Sequence, residues 1–178
     1  MCSGIGGLDL ALRRAVRGAR TVCYVEREAY AAAVLARAMA QEWLDPAPIW
    51  TDLARFPVNL LHRRIDLVMG GIPCQPHSVA GSRRGMSDER NLWPDFWRIT
   101  RQIGADALLL ENVRGFLRSG LPVVLEEVSA AGWDAEWTCL RASDVGAPHQ
   151  RARVFLLAWR AGSALSDALG DALRDEPE

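Results

Sequence analysis

Cys74 stands between two prolines in Gly71-Ile72-Pro73-Cys74-Gln75-Pro76, at the head of a stretch over 70–90 rich in glycine, serine and charge. A cysteine kept for packing more often sits inside an apolar run. A thiol fixed by rigid prolines, just after such a run and at the start of a long loop, suits a nucleophile instead. An ordinary thiol has a pKa of ~8.5, so that role also needs nearby positive charge or a helix terminus. A loop this long is usually functional or disordered. Glu111, in Leu108-Leu109-Leu110-Glu111-Asn112-Val113, places a carboxylate at the end of an apolar run, at the same sheet edge as Cys74. Its plainer role is to cap the next turn. Arg151 and Arg153, in Gly146-Ala147-Pro148-His149-Gln150-Arg151-Ala152-Arg153, suit a phosphate or a base carbonyl, or merely solvate the entry to a strand. His149, like His62 and His77, reads as structural.

The chain opens on a second kind of site. Ser3-Gly4-Ile5-Gly6-Gly7 leads straight into a helical pattern. Glycines allow a tight turn and close approach of backbone to ligand, and a helix N-terminus attracts negative charge. Glu26 follows at the end of the next apolar run, where an acidic side chain accepts hydrogen bonds from ribose hydroxyls. An ordinary turn and a surface glutamate explain this pair equally well.

These residues need a layered scaffold, and the pattern supplies one. Short apolar runs alternate with amphipathic stretches, which predicts an α/β fold. Leu8, Ala11, Leu12 and Ala15 fall at helical spacing, as do Ala31, Val34, Leu35 and Ala38. Leu92, Phe96, Ile99 and Ile103 outline a third helix, and Leu121, Val124, Leu125 and Val128 a fourth. Strands are expected over 21–25, 67–69, 107–110, 137–140 and 154–158, with Pro46 and Pro48 marking a loop. Strand ends followed by loops are where doubly wound folds place ligands.

Composition bounds the rest. The 178 residues suit one domain, and 49% hydrophobic with 24% charged residues describe an ordinary globular chain. No apolar run reaches the ~18 residues of a membrane span, and no signal peptide precedes the first motif, so the expected location is the cytoplasm. Net charge is −1, so nucleic-acid contact must come from a local basic patch or another chain. All 21 basic residues are arginine, which codon bias explains. Four cysteines sit singly without metal-ligand spacing, so no metal is expected.

Taken together, the four segments resemble the DNA cytosine-5 methyltransferase family over most of the chain, to about residue 160. The family's Pro-Cys signature is matched by Pro73-Cys74-Gln75-Pro76-His77-Ser78, its Glu-Asn-Val by Glu111-Asn112-Val113, its Arg-x-Arg by Arg151-Ala152-Arg153, and its cofactor turn by Ser3 to Gly7. The resemblance implies a Rossmann-like sheet with helices on both faces, and a methyl transfer from S-adenosylmethionine to C5 of cytosine in DNA, as in restriction–modification. It implies that Cys74 attacks a flipped base, Glu111 contacts the ring N3 and amine, and Arg153 holds the ring carbonyl. Arg151 supports the pocket, and Asn112 positions Cys74 and its loop. Gln75, Ser78, Arg83 and Arg84 would face nucleic acid. For the cofactor, Ser3, Gly4, Ile5, Gly6 and Gly7 would meet the methionine part, Glu26 the ribose, Asp52 the adenine amine, and Leu92 the pocket wall.

Two positions depart from the family: Arg27 follows Glu26 where an apolar or aromatic residue is common, and His149 stands where many members have glutamine. Members also have a strand before the glycine-rich turn and a recognition region after the Arg-x-Arg strand. The expectation is therefore a catalytic core over 1–160 and a short tail over 161–178. The first strand and the target-recognition domain would be missing, with residues 67–69 and 21–25 flanking a gap. A second chain supplying recognition, half of a split enzyme, an inactive remnant and a tRNA-methylating relative are alternatives. A nicotinamide-binding protein explains the turn and Glu26 but leaves the Pro-Cys loop idle.

Overall fold

The computed structural model describes residues 1–72 and 91–163. Gly6, in the left-handed region at φ 85°, turns the chain into α1 (Gly7–Ala15), where Leu10 N–H closes onto the Gly6 carbonyl at 3.0 Å. Asp9 in the first turn and Arg13 and Arg14 in the last match the helix dipole. β1 (Tyr24–Val25) follows, then α2 (Ala29–Ala40), whose many alanines favour helix. β2 (Ile49–Trp50) runs parallel to β1 and pairs Tyr24 with Ile49 and Val25 with Trp50. A 3₁₀ turn at Val58–Leu60 leads to β3 (Leu67–Gly71).

α3 (Trp93–Ile103) begins with Pro94 in its first turn and stops at Gly104, whose φ of 78° provides the left-handed cap. The rest alternates as β4 (Ala107–Val113), α4 (Phe116–Ser119), α5 (Leu121–Ala130), β5 (Trp133–Leu140) and β6 (Arg153–Arg160). β3, β4, β6 and β5 form a sheet in that order, with β3–β4 parallel and both β6 pairings antiparallel.

Helices cover both faces. Tyr24 points to a cluster with Leu35, Ala38 and Leu44, beneath α2. Its neighbour Val25 points to the main core, with Val68, Leu108, Leu110 and Leu156 against Phe96, Ile99 and Val124. Trp93 stacks on Trp97 in this core, Trp133 meets Trp97 edge-on, and the Trp93 indole donates to Glu127 at 3.0 Å.

No strand precedes α1 among the described residues, yet β1 and β3 do not flank an empty gap. Met1 N donates to the Met69 carbonyl, while Ser3 N–H donates to the Val25 carbonyl at 2.9 Å and Ser3 Oγ accepts from Val25 N–H at 3.3 Å. Residues 1–3 thus join the two sheets through hydrogen bonds on both sides.

Other boundaries differ from expectation. The strand expected over 21–25 is two residues long, because Thr21 N–H is taken by the Asp45 carboxylate at 2.9 Å. Pro46 and Pro48 predict a loop and no strand after it, but the Pro48 carbonyl accepts Tyr24 N–H at 2.9 Å and starts the pairing that forms β2. β5 begins at Trp133, four residues earlier than expected, because its outer face is polar and carries no run of apolar residues. Gly70 and Gly71 belong to β3, not to the loop. No helix among the described residues is long and apolar enough to cross a membrane.

Candidate active site

The parallel strands set one edge of the sheet. β3 and β4 run side by side, with Gly71 opposite Glu111. On the other side of β4, β6 runs back, pairing Glu111 with Phe155 and Val113 with Arg153. Side chains alternate along a strand, so Glu111 and Arg153 share a face, two rows apart diagonally. Arg153 Nε lies 2.7 Å from Glu111 Oε1, and both side chains are about one-quarter exposed. The Arg153 guanidinium also donates to the Ala152 carbonyl at 2.9 Å. One acceptor and one donor therefore project together at the strand ends. That arrangement suits a planar ligand edge that offers a donor beside an acceptor.

Asn112 points to the opposite face and is 2% exposed. Its Oδ1 accepts Val113 N–H at 2.8 Å, while its Nδ2 is buried with no hydrogen-bond partner among the described residues. A buried amide donor left unpaired is costly, and such groups tend to mark functional positions. Arg151 has φ 21°, a strained value for an arginine, and its exposed side chain joins neither Glu111 nor Arg153. Cys74, Gln75, Ser78, Arg83 and Arg84 lie outside the described residues. The chain reaches them from Gly71 and the buried Ile72, directly beside Glu111.

The glycine-rich turn forms a second arrangement. Glu26 braces it, because Oε2 accepts Gly4 N–H at 2.7 Å and Oε1 accepts Glu28 N–H at 2.8 Å. Gly6 N–H donates to the Ser3 carbonyl at 2.9 Å. A Cβ on Gly6 would stand 2.5 Å from Leu44 Cδ1, so this glycine is needed for packing as well as for its positive φ. Gly4 and Gly7 face open space, and Ile5 is exposed. Asp52 follows β2; its carboxylate accepts Ala54 N–H at 3.0 Å and lies 3.6 Å from Arg55. Leu92 precedes α3 and packs half-buried against the main core.

Beneath the turn, Asp9 is buried and accepts from Thr21 Oγ at 3.1 Å. Burial raises its carboxyl above the usual range. Burial likewise pushes up the thiols of Cys2 and Cys23. Both are therefore poor nucleophiles at neutral pH.

Two residues gain roles that sequence reasoning did not assign. Gly71 faces the Glu111 carboxylate directly, and the Gly-Gly pair before Pro73 was the available signal. Trp50 stands beside Asp52, its indole donating to the Asp52 carbonyl at 2.7 Å and its ring edge-on to Phe56. Nothing in the sequence singled it out. Among the described residues no group of three His, Cys, Asp or Glu side chains is placed to hold a metal.

The model of one family, C-5 cytosine-specific DNA methylase, matches residues 1–175. The chain belongs to that family. It is 33% identical over 166 residues to the Type II methyltransferase M.NgoMIV of Neisseria gonorrhoeae, covering 89% of this chain and 50% of that protein. It is 30% identical over 189 residues to the Type II methyltransferase M.NaeI of Lentzea aerocolonigenes, covering 98% of this chain and 45% of the relative. The chain thus spans about half the length of these curated relatives. Among solved structures, a Spodoptera frugiperda DNMT2 matches with a TM-score of 0.73 at 23% identity, covering 91% of this chain and 49% of the other. That likeness shows the fold, a sheet flanked by helices.

Proposed function

We propose that this chain forms the catalytic core of an enzyme that transfers the methyl group of S-adenosylmethionine to C5 of cytosine in DNA. The observation that carries the reading is the Glu111–Arg153 pair, 2.7 Å apart at the strand ends, beside the strand that leads to Pro73-Cys74.

Cytosine presents an exocyclic amine that donates and a ring carbonyl that accepts. Glu111 meets the amine and N3, and Arg153 meets the carbonyl oxygen. The Cys74 thiolate adds to C6, and its electron pair forms the new C–S bond. A proton held between Glu111 and N3 offsets the negative charge pushed toward N3, and C5 becomes electron-rich enough to take a methyl group. The C5 proton then leaves to a base and the C–S bond breaks, regenerating the thiolate. Asn112 helps to position Cys74 and its loop, a role supported by its buried Nδ2, which has no partner among the described residues. The target base must leave its stack to reach these groups. Gln75, Ser78, Arg83 and Arg84 contact the nucleotide and its backbone, and Arg151 supports the pocket from the β6 entry.

The glycine-rich turn fits the cofactor. Gly4 and Gly7 leave open space where side chains would stand, and the Glu26 carboxylate sits at the turn. Ser3, Gly4, Ile5, Gly6 and Gly7 would hold its methionine part, Glu26 its ribose and Asp52 its adenine amine, with Leu92 behind. When bound, S-adenosylmethionine supplies the methyl group as an electrophile. Incubation with labelled S-adenosylmethionine and DNA, followed by digestion to nucleosides, tests the reading. Label in 5-methyldeoxycytidine is expected; label in RNA alone, or in adenine, would overturn it.

A further inference from the structure

The two glycines that end β3 have separate neighbours. A Cβ on Gly70 would collide with the Met1 backbone carbonyl and stand 3.0 Å from Phe96 Cε2. Among the described residues, the three atoms nearest a Cβ on Gly71 would all belong to Glu111: Oε2 at 2.7 Å, and Cδ and the carbonyl oxygen at 3.9 Å. The first contact is with backbone, which cannot give way cheaply. The second is with the end of a flexible side chain, which moves at little cost to the fold. Neither glycine needs a positive φ, since both lie in the extended strand. Alanine is compatible with the backbone at both sites, and only the neighbours differ.

We infer that Gly71 is a positioning residue for Glu111: its bare Cα is the floor on which the carboxylate lies, holding Oε1 toward Arg153. This rests on the reading of Glu111 as the group that contacts the base. Glu111 has Phe155 on its other side in the register, so the carboxylate has a flat bed on β3 and a ring on β6. A methyl group at position 71 lifts Oε2 and opens the 2.7 Å contact between Oε1 and Arg153. The effect on chemistry is large because a displacement of about 1 Å can cost ~10²-fold in rate. Gly70, by contrast, is structural.

The test compares Gly71→Ala and Gly70→Ala in the purified protein. Gly71→Ala is expected to melt within ~2 °C of wild type and to bind S-adenosylmethionine within about twofold, while methyl transfer falls ~10²-fold. Gly70→Ala is expected to lose roughly 5 °C or more. Added to Glu111→Gln, Gly71→Ala should cause little further loss, because both act through one side chain. A crystal structure of Gly71→Ala should show the carboxylate displaced from Arg153. Losses that multiply fully, wild-type transfer by Gly71→Ala, or an unmoved carboxylate would each overturn the inference. If wild-type protein transfers no methyl group, the functional reading fails, and the crystal structure still decides whether Gly71 positions Glu111.

Discussion

Glu111 Oε1 and Arg153 Nε stand 2.7 Å apart, although one side chain comes from a parallel strand and the other from the antiparallel strand beside it. The pair links the last rows of β4 to the first residue of β6. On the proposed reading, a base entering between them would exchange one ion-pair contact for a hydrogen bond to each partner. The pair is partly solvated, so it contributes little to stability, about 0–1 kcal/mol.

Glu111→Gln should therefore separate chemistry from folding. Shape is kept and the charge is lost. Methyl transfer is expected to fall ~10²–10⁴-fold, with cofactor affinity and melting temperature nearly unchanged. Labelled-methyl transfer, calorimetry and thermal melts check this. Wild-type rates in the variant would remove Glu111 from the reaction.

The glycine-rich turn gives a contrast between neighbours. Gly6→Ala forces a side chain into a φ of 85° and against Leu44, so a loss of about 2 kcal/mol or more is expected. Gly7→Ala adds a methyl group in open space at the helix start, so stability should hold within about 0.5 kcal/mol. On the proposed reading the same methyl group would crowd the cofactor, so affinity for S-adenosylmethionine should drop. Denaturant melts and calorimetry on both variants decide it; equal stability losses would contradict the assignment of separate roles.

Asp9 predicts a pH dependence. Burial raises its folded-state pKa, so the folded protein holds that proton more tightly than the unfolded chain. The stability contribution is complete below the unfolded value, ~3.9, and is lost as pH rises through the folded value. Asp9→Asn removes this loss and keeps an oxygen for Thr21 Oγ. The variant should melt above wild type near neutral pH, and the difference should shrink as pH falls toward about 4 and vanish below it. A wild type that is the more stable of the two at pH 7 would contradict it.

The sequence made the layers legible wherever burial is one-sided and long. The helices marked by Leu8, Leu35, Ile99 and Val124 are all present, because each repeats its apolar positions over several turns. β2 was invisible, since two residues after Pro48 carry no periodicity and exist only by pairing with β1. β5 was half-read because an edge strand buries few of its side chains. At the site, motifs named Glu111 and Arg153, but no spacing rule foretold their contact, which follows from the antiparallel return of β6. Gly71 carries no role in the sequence pattern, because a glycine's meaning lies in what its missing side chain admits. The bridging of β1 and β3 by residues 1–3 was likewise a matter of three-dimensional proximity.

The most direct measurement of the central claim is covalent trapping by Cys74. DNA carrying 5-fluorocytosine blocks the last step, because fluorine at C5 does not leave as a proton does. With S-adenosylmethionine present, wild-type protein should give a slow-migrating protein–DNA band on a denaturing gel, and peptide mapping should place the DNA on Cys74. Cys74→Ala should give no such band. An identical band from Cys74→Ala, or attachment at Cys2, Cys23 or Cys139, would contradict the account.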